Sequence, residues 1–275
     1  MNSPFSMVPA DVIRNVQRRW PHVGRDWPAQ VQDELHDLCV RYRATPRRVL
    51  PSRYGFVVAV DTIHGGLVMR ASPDPHAPMQ AVTAIALADL DIAPTVHDVL
   101  TTATGTWTVL DEVQPGTPLA DADLSRVTVE GLAAPLAAMK DRPAPRSDMP
   151  SIIDWLRDRL EHHHTTDLRP GAEPARVADR RHAVAILDDL AQDTAPQLCH
   201  GDTSPWNILG FGTDHWMLID PRGMSGEVAY DAGVLALKLS RHRPTALATG
   251  LLTDAAGIDP ERTHEWIVVA DAARV

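Results

Sequence analysis

The chain has 275 residues, of which 44% are hydrophobic and 23% charged, a composition typical of a globular protein with one large domain or two smaller ones. The formal net charge of -10 and the aromatic share of 5% argue against a nucleic-acid partner, because phosphate backbones repel acidic surfaces and bases stack on aromatic side chains. The two cysteines encode no disulfide framework, and no apolar run approaches the ~20 residues of a membrane span. We therefore expect a cytoplasmic protein with no membrane partner.

The first part of the chain changes from helical to strand-like patterns. Apolar residues three and four positions apart predict a pair of helices within residues 9–44. Short β-branched runs joined by glycine turns then predict antiparallel strands between residues 45 and 113. One Ala- and Leu-rich helix, which stops at Pro94, is expected between these strands.

A Pro- and Gly-rich segment at residues 114–123, QPGTPLADAD, separates this β-rich part from a mostly helical one. Beyond it, periodic apolar residues predict helices over roughly 121–140, 149–163 and 174–193. We therefore predict an α+β, bilobal protein. Residues 1–113 would form the N-terminal helices and a small β-rich nucleotide-binding lobe, and residues 114–275 a larger α-helical lobe that carries catalysis and substrate binding.

The residues that could carry chemistry are concentrated in segment 197–231, QLCHGDTSPWNILGFGTDHWMLIDPRGMSGEVAYD. Asp202 and Asn207 lie in a loop, and Asp220 ends the strand-like run HWMLID. One Asp to accept the proton of an attacking hydroxyl, with an Asn and a second Asp to hold magnesium, would meet the needs of phosphoryl transfer. An isolated His-Gly-Asp is more often a turn with a capping aspartate, but the later Asn and the strand ending in Ile-Asp-Pro favour an active site.

The segments LCHGDTSPWNIL and WMLIDPRGMSGEVAYDAGVLAL resemble the motif pair of the aminoglycoside phosphotransferase superfamily. The run Ile-Asp-Pro-Arg-Gly, followed by Gly-Glu and Tyr-Asp, is similar to the streptomycin 6-kinase and hydroxyurea-kinase branch of that superfamily. The resemblance is specific over residues 198–236 and looser over residues 45–140. It implies a protein-kinase-like bilobal fold that uses ATP and Mg²⁺ to phosphorylate a hydroxyl of a small molecule, often an antibiotic.

The resemblance also implies a role for each matching residue. Asp202 is implied to be the catalytic base, and His200 to support the catalytic loop around it. Asn207 and Asp220 are implied to be the magnesium ligands. Asp231 is implied to hold the backbone of the catalytic loop, so its loss would loosen the geometry of the site more than remove its chemistry.

The β-rich lobe departs from the family pattern. The strand GGLVMRAS resembles the one that presents a lysine to the nucleotide phosphates, yet it offers Arg70, and the following helix offers Gln80 near the place of the usual acidic partner. Arginine is a rigid, permanently charged fork that can bind phosphate oxygens in pairs, but it is not equivalent to a lysine. Three interpretations stay open: Arg70 takes the lysine's role, the register differs, or nucleotide binding is weakened.

Three further features are expected to be less informative. The main-chain groups of residues 111–113, from Asp111 to Val113 in the link VLDEVQPG, are expected to meet the adenine edge, so their side chains carry no signal. Trp206 and Cys199 are expected to be local core residues. The run His162, His163 and His164 is expected to be an exposed helix end, because consecutive helical side chains point in different directions and cannot share a metal.

These observations predict an ATP- and Mg²⁺-dependent phosphotransferase acting on a hydroxyl of a small molecule. A basic antibiotic such as an aminoglycoside is the leading acceptor, because the acidic chain would concentrate cationic ligands. Two alternatives remain: a kinase of a metabolite such as a sugar, a choline-like amine or an amino alcohol, and a non-catalytic nucleotide-binding module.

Overall fold

The computed structural model describes residues 7–162, 173–240 and 244–275. Contacts divide the chain into two compact units: a first unit, which comprises the residues up to Ala81 and Pro94–Glu112, and a second unit, which comprises Val82–Ala93 and Val113–Val275. The segment Val82–Ala93 groups with the second unit because Leu87 and Ile92 are buried in that unit's core. The sequence analysis had assigned this segment to the β-rich lobe, and its lobe boundary stays a prediction.

The first unit is an antiparallel sheet covered by two helices. The strands lie in the order β1-β2-β3-β5-β4, and each pairs with its neighbours in antiparallel register. The inserted helix α3 follows β3, as the sequence predicted. The elements are α1 (Ala10–Arg19), α2 (Trp27–Tyr42), β1 (Thr45–Val49), β2 (Phe56–Thr62), β3 (Gly65–Ser72), α3 (Ala77–Ala88), β4 (Val96–Thr102) and β5 (Gly105–Asp111).

The two N-terminal helices belong to the hydrophobic core of the first unit. Val31 and Leu35 of α2 are fully buried in the same cluster as Trp107 of β5. A polar contact fixes the register of this packing, because the Glu34 carboxylate accepts a hydrogen bond from Trp107 Nε1 at 2.7 Å and from the Thr102 hydroxyl at 2.9 Å. The helical pair, which matched no motif, therefore supports the sheet from one side.

The second unit is mainly helical, with short strands that carry the residues of interest. Strands β6, β8 and β9 form one small sheet, and β7 pairs with β10. Helix α7 is buried along residues 228–236, which requires its one carboxylate in that stretch to be satisfied by protein groups. The elements are β6 (Pro115–Pro118), α4 (Val129–Met139), α5 (Ile152–His162), α6 (Val177–Asp193), β7 (Gln197–Leu198), β8 (Ile208–Phe211), β9 (His215–Leu218), β10 (Ser225–Gly226), α7 (Val228–Leu239), α8 (Thr245–Ala256) and α9 (Pro260–Ala272).

The α+β fold with a smaller β-rich part and a larger helical part is confirmed, but the predicted start of α4 was wrong. Residues 121–128 were expected to be helical, whereas Leu119–Asp121 and Leu124–Arg126 form short 3-10 turns. Thr128 then starts α4 by accepting the Gly131 N–H at 3.0 Å on its hydroxyl, a typical N-cap. Within the described ranges, no helix has both the length and the apolar character needed to cross a bilayer.

Candidate active site

The β8–β9 hairpin brings Asn207 and Asp220 together. Ile208 pairs with Leu218, and the next pair outward is closed by a hydrogen bond of 2.9 Å from the Ile219 N–H to the Asn207 carbonyl. Asp220 follows directly, with an exposed side chain and a left-handed backbone (φ 55°). The strand thus ends by presenting the Asp220 carboxylate beside the Asn207 backbone, as the sequence predicted.

His200 joins the loop that carries Asp202 to the same hairpin. Its side chain is fully buried, with Nε2 at 2.9 Å from the Ile219 carbonyl and Nδ1 accepting the Asp202 N–H at 3.2 Å. An imidazole that accepts at Nδ1 carries its proton on Nε2, so this arrangement fits the neutral ring donating to Ile219. The ring therefore fixes the backbone of Asp202 relative to the end of β9.

Asp231 of α7 holds the same loop from below its backbone. Its two carboxylate oxygens accept the His200 N–H at 2.8 Å and the Gly201 N–H at 2.9 Å, and its carbonyl accepts the Thr203 hydroxyl at 2.6 Å. Burial raises the pKa of Asp231 above its ordinary value, while nearby His200 and the two amide hydrogen bonds act in the opposite direction. The position and contacts are those that the family resemblance implied; the effect on catalysis stays a prediction.

The oxygen donors of this cluster fit a magnesium ion. Asn207 Nδ2 donates to the Asp202 carbonyl at 3.0 Å, which leaves its carboxamide oxygen as the available ligand atom. A carboxamide oxygen beside an exposed carboxylate is a donor set of the kind that Mg²⁺ prefers, whereas it suits zinc poorly. In the described parts of the chain no group of three or more His, Cys, Asp or Glu side chains could hold a metal, so the mixed set of Asn207 and Asp220 is the best candidate.

Arg222 also contacts this loop, although the sequence analysis assigned it no role. Its Nε donates to the Gly201 carbonyl at 3.0 Å, and its NH2 group lies 3.2 Å from Oδ2 of Asp202. The guanidinium carbon lies 4.1 Å from the centroid of the Trp155 ring. A permanently charged residue close behind the proposed metal ligand in IDPRG was the available signal, but nothing in the sequence indicated Trp155.

In the first unit, Arg70 and Gln80 form the contact that their positions suggested. Arg70 on β3 donates from its NH2 group to Gln80 Oε1 at 3.1 Å, and Gln80 Nε2 donates to Asp74 Oδ2 at 3.2 Å. The acidic group has therefore moved one residue further from the cation, with a neutral amide between them. Whether Arg70 contacts a nucleotide stays a prediction.

The expectation for the adenine contacts needs a correction. The Asp111 N–H donates to the Thr95 carbonyl at 3.0 Å, and the Glu112 N–H donates to the Gly66 carbonyl at 3.1 Å, so neither amide is open to a base. The Asp111 carboxylate lies 2.6 Å from His97 Nε2. Of the residues proposed for this contact, Val113 keeps its role as a prediction.

The remaining sequence expectations have mixed outcomes. Trp206 is 55% exposed, so the expectation that it is a core residue was wrong. Cys199 is fully buried as expected, and this burial, together with the nearby Asp231 carboxylate, raises the pKa of its thiol well above the ordinary value. His162 lies exposed at the end of α5, while His163 and His164 lie outside the described residues.

The sheet of the first unit, the helices of the second unit and the oxygen cluster around Asp202 together define a protein-kinase-like fold. The chain belongs to the phosphotransferase enzyme family, whose pattern matches residues 47–266. The resemblance noted in the sequence is therefore confirmed at the level of the family.

Curated relatives match parts of the chain. Streptomycin 3''-kinase from Klebsiella pneumoniae is 29% identical over 146 residues, which cover 50% of this chain and 50% of that protein. Hydroxyurea phosphotransferase from Kitasatospora aureofaciens is 27% identical over 86 residues, 31% of this chain and 25% of that protein. The chain thus matches half or less of the length of each of these relatives.

Solved structures share the fold over most of the chain. A choline/ethanolamine kinase family protein from Mesorhizobium loti has a TM-score of 0.64 and 15% identity, covering 90% of this chain and 84% of that one. An aminoglycoside phosphotransferase in a ternary complex with ADP and hygromycin B has a TM-score of 0.59 and 16% identity, covering 85% and 87%. At these identities the likeness establishes the fold alone.

Proposed function

We propose that this chain transfers the γ-phosphoryl group of ATP to a hydroxyl of a small polar molecule, and that the acceptor is a basic antibiotic of the aminoglycoside type, which the transfer would inactivate. The observation that carries the proposal is the convergence of Asp202, Asn207 and Asp220. Their relative geometry is imposed by backbone hydrogen bonds from Asp202 to His200 and from Ile219 to Asn207. Three oxygen-bearing side chains fixed in this way are what phosphoryl transfer asks of a protein.

In the proposed mechanism Asp202 orients the acceptor hydroxyl and takes its proton. The acceptor oxygen forms a bond to the γ-phosphorus, the bond from that phosphorus to the β–γ bridging oxygen breaks, and ADP leaves. The proton on Asp202 then passes to solvent. Asn207 and Asp220 would hold Mg²⁺, which when bound neutralises phosphate charge that develops during transfer.

Arg70 is proposed to bind a phosphate oxygen of ATP in place of a lysine. Gln80 orients its guanidinium through the 3.1 Å hydrogen bond, and Asp74 orients Gln80 in turn. An arginine that donates to a neutral amide keeps its full positive charge for a ligand, whereas one paired with a carboxylate would be partly neutralised. The amide partner therefore favours a phosphate-binding role over a weakened nucleotide site.

The antibiotic acceptor is supported by the curated relatives, which are named for streptomycin and hydroxyurea. The net charge of -10 also favours a cationic acceptor. A metabolite alcohol bearing an amine is the second candidate, because a choline/ethanolamine kinase family protein shares the fold over 90% of this chain. Both candidates use the same transfer chemistry and differ only in the acceptor.

The test is incubation of the purified chain with ATP, Mg²⁺ and a panel containing streptomycin, hygromycin B, spectinomycin, hydroxyurea, choline and ethanolamine. Mass spectrometry of each small molecule would detect an added phosphoryl group, and ADP release would give the rate. We expect transfer to at least one aminoglycoside-type acceptor, and none when Mg²⁺ is removed with a chelator.

The Asp202→Ala variant is the control for contaminating kinases. Transfer to choline or ethanolamine in preference to the antibiotics would replace the acceptor assignment with the metabolite one. Magnesium-dependent ATP binding without transfer to any acceptor or to water would instead indicate a non-catalytic nucleotide-binding module, and would contradict the proposed function.

A further inference from the structure

We propose that Arg222 is a positioning residue for Asp202: its guanidinium, stacked on the Trp155 ring, binds one carboxylate oxygen and leaves the other to face the acceptor hydroxyl. This inference rests on the proposed function, because it assigns Asp202 the role of base. It identifies a contact outside the motif residues that the family resemblance covered.

Arg222 is attached to the catalytic loop at three successive residues. Its backbone N–H donates to the His200 carbonyl at 2.8 Å, its Nε donates to the Gly201 carbonyl at 3.0 Å, and its NH2 group lies 3.2 Å from Asp202 Oδ2. Within the described chain, Oδ1 of Asp202 has no hydrogen-bond partner. The contacts thus constrain both the loop backbone and the rotation of the carboxylate.

Trp155 supports the guanidinium from the side of α5. The ring centroid lies 4.1 Å from the guanidinium carbon of Arg222, within the range of a cation–π contact. The start of α5 is itself tied to the segment that follows Arg222, because the Ser225 N–H donates to the Pro150 carbonyl at 2.8 Å. Trp155 also packs against the hydrophobic core of the second unit, so the ring is a fixed platform.

Gly201 allows the arginine to cross the loop. Its φ of +82° lies in the left-handed region, and a Cβ at this position would come within 2.8 Å of the Arg222 Cβ. Glycine is therefore required here both by conformation and by the close approach of Arg222. The loop and the arginine fit each other as a unit.

The exposure of the pair indicates that its main effect is on geometry. The Arg222 and Asp202 side chains are 26% and 34% exposed, and ion pairs in contact with solvent contribute little to stability. A partly exposed carboxylate without a partner would sample several rotamers, and a misplacement of ~1 Å can reduce a rate ~100-fold. Loss of Arg222 should therefore appear in turnover before it appears in stability.

The test compares Arg222→Gln, Arg222→Lys and Arg159→Gln. Arg159 is the matched control, because its guanidinium also lies over Trp155, at 4.9 Å, but donates to the Ala273 carbonyl. We expect Arg222→Gln to lower kcat ~10- to 100-fold with KM for ATP changed less than ~2-fold, and Arg159→Gln to leave both unchanged. Lysine at position 222 should restore part of the loss, since it supplies the charge without the fork.

A double-mutant cycle separates positioning from direct action on phosphate. In the Asp202→Asn background, Arg222→Gln should lower the residual rate by less than ~2-fold, because residues that act as a unit are not additive. A loss in that background as large as in the wild type would show that Arg222 acts independently of Asp202, and the positioning role would be wrong. Unchanged kcat in Arg222→Gln would overturn it as well.

Two further measurements keep the inference testable if activity is absent or a variant misfolds. Amide hydrogen exchange of residues 199–203 should accelerate in Arg222→Gln and not in Arg159→Gln; equal exchange would overturn the inference even if the wild type transferred nothing. Should Arg222→Gln fail to fold, Trp155→Leu should lower kcat more than Trp155→Phe, which keeps a ring beneath the cation. Equal rates in those two variants would contradict the platform role of Trp155 and with it the proposal.

Discussion

The loop at residues 200–202 and the Arg70 contact in the first unit are stabilised in different ways. In the loop, backbone amides and carbonyls bond to buried side chains, as in the two hydrogen bonds that Asp231 accepts. Arg70, Gln80 and Asp74 are partly buried and are joined through their side chains alone. A loop held by its backbone depends on the fold around it, whereas a relay of side chains can be exchanged for another relay with the same geometry.

The largest effect is expected from Asp202→Ala. Removing the proposed base should lower turnover at least ~100-fold, the magnitude typical of a positioned acid–base group. Equilibrium binding of a non-hydrolysable ATP analogue should be nearly unchanged, because Asp202 would contact the acceptor and not the nucleotide. Unchanged turnover with a confirmed acceptor would remove Asp202 from the mechanism.

Asp231→Ala tests the loop through its backbone anchor. This substitution leaves the His200 and Gly201 amides without their acceptor in a buried site, at roughly 1–3 kcal/mol for each unsatisfied group. We expect a lower free energy of unfolding in chemical denaturation and a lower kcat at temperatures where the variant is folded. A variant as stable as the wild type would mean that water or another group replaces the carboxylate, and that the loop is less dependent on α7.

Arg70→Lys, Gln80→Glu and the double variant test the side-chain relay. A lysine opposite Gln80 loses the planar geometry of the guanidinium, so we expect ATP affinity to fall roughly 3- to 10-fold, equivalent to about one hydrogen bond to a charged group. The double variant creates a lysine–glutamate pair and should recover most of that affinity. Calorimetric titration of ATP with Mg²⁺ measures it, and equal affinity in all variants would show that Arg70 does not contact the nucleotide.

The smallest effect concerns Cys199. Burial raises the pKa of its thiol well above the ordinary value of 9.0, and burial also raises the pKa of Cys39. Because the thiolate is the reactive form, neither thiol should react with iodoacetamide in the native protein at pH 8, while both should react in denaturant. Rapid labelling of Cys199 in the native state would indicate that the loop opens frequently.

Much of the fold could be predicted because its signals are local. Period-two patterns and glycine turns located the strands of the first unit, and the order of loop, strand and acidic residue located Asp202, Asn207 and Asp220. The errors arose where local signals compete. Residues 121–128 have helical composition, yet Thr128 caps the helix later, and Trp206 is apolar but exposed in a loop held by its backbone.

The sequence by itself determined the residue types of the site, their spacing and the α+β order of the elements, because each of these follows from patterns within one or two elements. Only the tertiary structure decided that Asp231 reaches the His200 amide, 31 positions away in the chain, that Arg222 rests on Trp155, and that the Asp111 amide is already bonded to Thr95. Contacts of this kind depend on how separate elements pack, and burial and hydrogen-bond satisfaction select them only once the chain has folded.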